Sequence, residues 1–160
     1  MVRNRNAPLP ESNKMTELVD RLKSLHATLI DSRNGYDEAL ADAEGKGLTT
    51  LFQEMRAIHG KDADDIGRML LRHGETPDSQ GSFMSVVNRT IISVRSLFSD
   101  LDEKILPGLI DGEERVIAYY DEAIQSVPSG DPDVSILREQ REALLQKIAG
   151  MKRQAEIAGA

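Results

Sequence analysis

The side chains best placed to do chemistry in this chain are the polar ones that interrupt its apolar stripes. Glu113 lies between Leu109 and Val116, Arg33 between Leu29 and Tyr36, and His59 with Asp62 between Met55 and Ile66. Gln140 and Arg141 fall in the same way between Leu137 and Leu144. A carboxylate drawn into a helical core is costly unless it is paired, and an arginine can pair with it through two parallel hydrogen bonds. Two-metal carboxylate chemistry in a helical bundle takes a Glu from each of two helices and a Glu-x-x-His pair from each of the others. The spacing of three puts both ligands of a pair on one inward face. No Glu-x-x-His occurs here: the residue three before His26 is Lys23, before His59 is Arg56 and before His73 is Leu70. Arginine stays protonated in essentially any protein site, so a guanidinium at Arg33 would repel a cation and satisfy Glu113 at once. Two readings of the group stay open. One is a remnant metal site with Glu113, His59 and Asp62 as its donors. The other, which is preferred, is a salt-bridged core layer of Arg33, His59, Asp62, Glu113 and Arg141 that fixes helix register. A blander third places Glu113 on the outside of a tilted helix.

Other chemistries find less support. Glu139-x-x-Glu142, Asp62-x-x-Asp65 and the run Asp62, Asp64, Asp65 could offer oxygens to a hard cation, but they lack the glycine and terminal glutamate of a calcium loop. They read as a solvated face. No phosphate-binding glycine loop or nucleophile elbow is present, and no spacing selects a Ser–His–Asp triad. The absence of Cys removes disulfides, thiolate metal sites and cysteine nucleophiles. With 20 basic and 27 acidic side chains the net charge is -7, which disfavours nucleic acid and anionic membrane as partners. Aromatics make up only 4%, with no Trp, so neither a β-sandwich nor a base-stacking platform is expected. No apolar run approaches the ~18–20 residues of a membrane span. The opening MVRNRNAPLP has no apolar stretch behind its basic residues, so it does not read as a secretory signal and the cytoplasm is the expected location. Residues 1–11 are expected to be a flexible tail and 12–157 a single domain of 160 residues' total chain.

The elements that must position these residues are helical throughout. A first helix is expected from about Ser12, its N-cap, to Ala43 on the seam Leu18, Leu22, Leu25, Leu29, Tyr36 and Leu40. A second runs from about Leu48 to His73, stopped by Gly74 and Pro77. A short helix over Ser82–Phe98 is followed by a long one over Leu101–Val127, and a last one begins after Asp131 with Pro132 in its first turn. Tight turns join the first two and the last two long helices, and a long connection lies between the pairs. That is an all-α, ferritin-like four-helix bundle: two antiparallel hairpins and one long crossover containing a short fifth helix. The hairpins echo one another. Leu29-Ile30-Asp31 recurs 80 residues on as Leu109-Ile110-Asp111, and Tyr36-Asp37-Glu38-Ala39 recurs 84 on as Tyr120-Asp121-Glu122-Ala123.

On Leu29-Ile30-Asp31-Ser32-Arg33-Asn34-Gly35-Tyr36, Leu51-Phe52, Gly81-Ser82 and Asp111-Gly112-Glu113-Glu114, the chain resembles the small bacterial ferritin-like four-helix-bundle proteins catalogued as a domain of unknown function. The likeness spans about Met15 to Met151. It implies a fold and an ancestral metal site, with no settled activity. The family pattern carries Asp-Gly-Glu in the first and fourth helices and a late His in the last. Carried over by position, Glu113 is retained, the first-helix Glu falls on Arg33 and the late His on Ile148. The expected function is therefore a non-catalytic bundle acting as an oligomerising or interaction protein, linked to stress physiology by the resemblance alone, and no cofactor is expected. The alternative is a metal-binding protein of di-iron or di-manganese type with an atypical ligand set, holding iron or manganese. The crossover helix carries more apolar residues than one stripe requires, with Ile92 and Phe83 or Phe98 free to face outward. A homo-oligomer, dimer or larger, is expected through that helix. Matching heights in the first hairpin sets Arg33 opposite Ile58 and His59. If Arg33 closes the charge network, Arg33→Met costs on the order of 3–5 kcal/mol, and adding Glu113→Leu recovers much of it.

Overall fold

A computed structural model describes residues 11–41, 47–77 and 105–159. These form four α-helices and no strand: α1 (Glu11–Leu40), α2 (Thr49–Arg72), α3 (Leu106–Ser126) and α4 (Asp133–Ala158), consistent with a four-helix bundle. The expected short helix at Ser82–Phe98, and with it the expected oligomer face, lies outside the described residues. Of the tail expected over residues 1–11, residues 1–10 lie outside them too, while Glu11 is instead the first residue of α1; the side chain of Ser12, the expected N-cap, is also outside them. Among the described residues, no helix is long and apolar enough to cross a membrane.

Each helix buries one stripe at steps of three and four. Leu18, Leu22, Leu25, Leu29 and Tyr36 of α1 meet Phe52, Met55, Ile66, Met69 and Leu70 of α2. Leu109, Val116, Tyr120 and Ala123 of α3 and Leu137, Leu144, Ile148 and Met151 of α4 complete the core. Tyr36 and Phe52 touch edge to face, with ring centroids 5.5 Å apart.

The helix ends follow backbone chemistry. At the end of α2, the N–H of Gly74 bonds to the Leu71 carbonyl (3.0 Å) and that of Glu75 to the Leu70 carbonyl (2.9 Å). That paired arrangement requires a left-handed residue, and Gly74 supplies it at φ 79°. The turn between α3 and α4 closes through Asp131 N–H to the Pro128 carbonyl at 3.1 Å, with Gly130 at φ 86°. Asp131 then accepts the N–H of Asp133 on Oδ1 (2.9 Å), so its side chain caps α4 as expected. Two expected boundaries need correction. The third long helix starts at Leu106, not Leu101, with Pro107 in its first turn, where a missing N–H breaks no helical bond; residues 101–104 lie outside the described set. The first helix ends at Leu40, where the sequence reading set Ala43; the last runs to Ala158. Its final stretch is rich in good helix formers, and Lys152 reaches Glu114 of α3 at 2.8 Å.

Cross-helix pairs give the directions. Asp37 pairs with Arg56 at 2.7 Å, and higher-numbered α2 residues meet lower-numbered α1 residues, as where His26 lies against Gly67, so α1 and α2 are antiparallel. Asp121–Arg141 (2.6 Å) and Glu114–Lys152 make α3 and α4 antiparallel. The repeat seen in the sequence is thus mirrored in space: the aspartate of each Tyr-Asp-Glu-Ala segment holds an arginine of its hairpin partner. α1 also packs beside α3, with Arg21 on Glu122 at 2.9 Å. α2 meets α4 through Arg72 with Asp133 and Glu54 with Lys147. Across the bundle, His59 reaches Glu113 and Asp62 reaches Tyr120, so α2 and α3 run in the same direction.

The contrast between core and surface is measurable. Phe52 is fully buried, and Phe52→Ala should cost about 3–5 kcal/mol. Leu71 is 58% exposed, and Leu71→Ser should change stability by no more than about 0.5 kcal/mol. Denaturant unfolding of the two variants checks both.

Candidate functional site

The polar residues that face inward come from all four helices. α1 supplies Tyr36, α2 His59 and Asp62, α3 Glu113 and Tyr120, and α4 Gln140; all six are buried. Position explains the burial: each falls on the stripe that its helix turns toward the core, so the backbone delivers the polar group wherever the apolar seam goes.

Glu113 is the centre. Its Oε1 accepts the Tyr36 hydroxyl at 2.6 Å and stands 2.9 Å from Nε2 of His59. His59 has no exposure and Glu113 only 3%. The Tyr36 ring stacks on the His59 ring, with centroids 5.9 Å apart and planes 18° from parallel. Glu113 Oε2 and His59 Nδ1 are buried without a hydrogen-bond partner. Burial draws the His59 pKa down, but the charge and hydrogen bond of Glu113, joined by the charge of Asp62, outweigh it. The net shift is upward, toward imidazolium. Burial, with the Glu113 charge and hydrogen bond, pushes the Tyr36 hydroxyl well above its ordinary range, so it stays a donor.

A second branch lies alongside. The Tyr120 hydroxyl stands 3.0 Å from Gln140 Oε1 and 3.3 Å from Asp62 Oδ2, sharing one proton between them. The Gln140 amide donates to Asp65 Oδ2 at 3.0 Å. Asp65, nearer the surface, also takes Lys61 at 3.1 Å and Arg68. Burial raises the Asp62 pKa against the opposing pull of His59, Lys61 and the Tyr120 hydrogen bond. Burial would raise Asp65 too, but its hydrogen bonds and ion pairs with Lys61 and Arg68 bring it below the ordinary carboxylate range. Burial, followed by the charge and hydrogen bond of Asp62, raises the Tyr120 hydroxyl.

Of the five residues expected in one charged layer, His59 and Glu113 are in direct contact, and Asp62 stands on the adjoining branch. Arg33 and Arg141 are elsewhere. Arg33 is half-buried, and its Nε and Nη2 donate to Asn34 at 3.2 and 3.1 Å. The hairpin register differs from the expected one: a Cβ on Gly60 would stand 3.3 Å from Arg33 Cδ, so the arginine stem lies over Gly60. Arg33 does not reach Glu113, whose partner on α1 is Tyr36, three residues further along the helix. Arg141 bonds Asp121 at the hairpin's outer edge. Glu113 is buried, so the reading that set it on an outer face is excluded.

The sequence reading sets Tyr36 on an apolar seam and Tyr120 in a repeated segment, yet their hydroxyls organise both branches. The available signal was chemical, since a fully buried tyrosine needs a partner for its O–H. Of the acidic clusters read as solvated, Asp64, Glu139 and Glu142 are exposed, but Asp62 and Asp65 turn toward the second branch. Among the described residues, no group of three or more His, Cys, Asp or Glu stands together so as to hold a metal ion.

His59→Leu strands the Glu113 carboxylate and should cost about 3–5 kcal/mol. The double change His59→Leu with Glu113→Leu should recover part of that loss. Arg33→Met, by contrast, should cost about 1 kcal/mol or less, because its guanidinium serves only a neighbouring amide at the half-exposed edge. A double-mutant cycle read by denaturant unfolding decides between the two arginine expectations.

Residues 17–126 match the family model described as Domain of unknown function (DUF2383), and the chain belongs to that family. No curated protein and no solved structure matches it.

Proposed function

We propose that this member of the family is a ferritin-like bundle that acts without catalysing a reaction, as an oligomerising or interaction protein whose central layer is given over to holding the helices together. The fold part of this reading is supported by α2 and α3 running in the same direction. A ferritin-like bundle with one long crossover has that sense, and a simple up-down-up-down bundle does not. The functional part rests on one observation: the carboxylate and the imidazole at the centre of the bundle are bound to each other.

A metal ion of the implied kind needs deprotonated, convergent donors from several helices. Here Glu113 Oε1 receives two hydrogen-bond donors, and Tyr36 points a proton at it where a ligand would offer a lone pair. The charge that a cation would neutralise is met by His59. The donor set does not fit a two-metal centre, and no reaction step is assigned to one.

Two measurements test the reading. Protein purified without a histidine tag should contain iron and manganese far below one atom per chain by elemental analysis; near-stoichiometric metal in either form overturns it. Sedimentation at high micromolar concentration should give a dimer or larger species, the partner being a second copy of this chain through residues 82–98, and a clean monomer overturns that part.

A further inference from the structure

We propose that the bundle opens like a book: its two hairpins turn about the line where α1 packs on α3 and part where α2 faces α4, bringing the buried Glu113–His59 pair to solvent without unfolding a helix.

The four sides of the bundle are not closed alike. The backbones of α1 and α2 lie close together, as do those of α3 and α4, and α1 lies close to α3. α2 and α4 stand farther apart. Long polar side chains span this last side at intervals along its length. Arg72 meets Asp133 near one end, Gln140 donates to Asp65 at 3.0 Å in the middle, and Lys147 meets Glu54 at 2.8 Å toward the other. Each of these groups can exchange its partner for water as the helices part, so little is lost. Lys147 and Glu54 are already 37% and 48% exposed, a setting in which an ion pair adds little. Separating closely packed apolar faces returns no such bonds. The wide, polar-bridged side is therefore the one that parts.

Distance from the hinge sets the order in which contacts break. Tyr36 to Glu113, at 2.6 Å, and Arg21 to Glu122, at 2.9 Å, join α1 to α3 and lie on the hinge. His59 to Glu113 and Asp62 to Tyr120 cross the bundle from α2 to α3, so they lengthen as the angle grows. The ties from α2 to α4 lengthen most. Glu113 thus keeps the Tyr36 hydroxyl while His59 withdraws. Glu113 Oε2 and His59 Nδ1 are buried without a partner in the closed bundle, and both gain water as it opens. That relief lowers the cost of opening relative to a core with every polar group paired.

The chain contains no Cys, so a short bis-maleimide can be directed to chosen pairs. Glu54→Cys with Lys147→Cys bridges the α2–α4 side, and Arg21→Cys with Glu122→Cys bridges the hinge. The paired positions are 93 and 101 residues apart, so the two crosslinks restrain the unfolded chain almost equally. The readout is modification of the fully buried His59 by diethyl pyrocarbonate, located by mass spectrometry at one fixed pH without denaturant. The α2–α4 crosslink should slow it at least about tenfold more than the hinge crosslink does, as a local opening requires. Equal slowing means that His59 is reached only by global unfolding, and overturns the proposal; so does a His59 that never reacts in the wild-type chain. Should a crosslinked variant not fold, two single substitutions decide. Arg72→Met should speed the modification beyond what its effect on denaturant unfolding accounts for, and Arg21→Met should not. Equal behaviour of the two overturns the proposal as well.

Discussion

A carboxylate in the middle of a helical bundle dictates terms to everything around it. Glu113 is only 3% exposed there, so the cost of removing an ion from bulk solvent, several kcal/mol even after relaxation, has to be met by neighbouring side chains. Glu113 meets it with a hydroxyl from α1 and an imidazole from α2. Each partner must arrive within about 3 Å, and neither helix can slide by a turn without withdrawing its donor. Leucine seams alone tolerate sliding, because one methyl contact resembles the next. The polar centre does not, and it selects one register of α1, α2 and α3 from the several that apolar packing would accept.

The second branch extends the same constraint to the remaining helix. Tyr120 and Gln140 bind α3 to α4, and Gln140 with Asp65 binds α4 to α2. Pairs at the surface behave differently. Asp37 with Arg56 and Asp121 with Arg141 occupy corresponding places in the two hairpins, but partial exposure to water and salt leaves such pairs a small share of the stability. The hairpins share the repeated Tyr-Asp-Glu-Ala edge and differ in the core, where among the described residues only the second carries a buried glutamate on its first helix.

Much of this was legible in the chain itself. Spacing of Leu18, Leu22, Leu25 and Leu29 announces a buried helical face, and a polar residue on such a face, Glu113 or His59, announces itself as a core group. Helix existence and the Gly74 and Gly130 stops follow from local chemistry. What spacing could not provide was register to within one residue. Arg33 lies over Gly60 instead of over Ile58 and His59, and the α1 partner of Glu113 is Tyr36 in place of the expected arginine. Tyr36 was hidden by its own dual character: its ring belongs to the apolar seam with Phe52, while its hydroxyl belongs to the polar centre. The start of α3 was misplaced for a simpler reason. Leu101 continues the apolar pattern, but Pro107 limits where the helix can begin.

Gln140 gives the second branch a direction. Its carbonyl accepts from Tyr120 and its amine gives to Asp65, so one planar group receives a hydrogen at its inner end and offers one at its outer end. A glutamate of the same length could only receive at both ends, and would set a third negative group between Asp62 and Asp65. An aliphatic residue could do neither, and would orphan the hydroxyl on one side and a carboxylate oxygen on the other. Shape therefore admits three kinds of side chain at this position, and hydrogen-bond polarity admits one. The amide turns the chain of contacts from a set of charges that must be balanced into a sequence of donors and acceptors that must be read in order, from the surface lysine inward to the buried tyrosine.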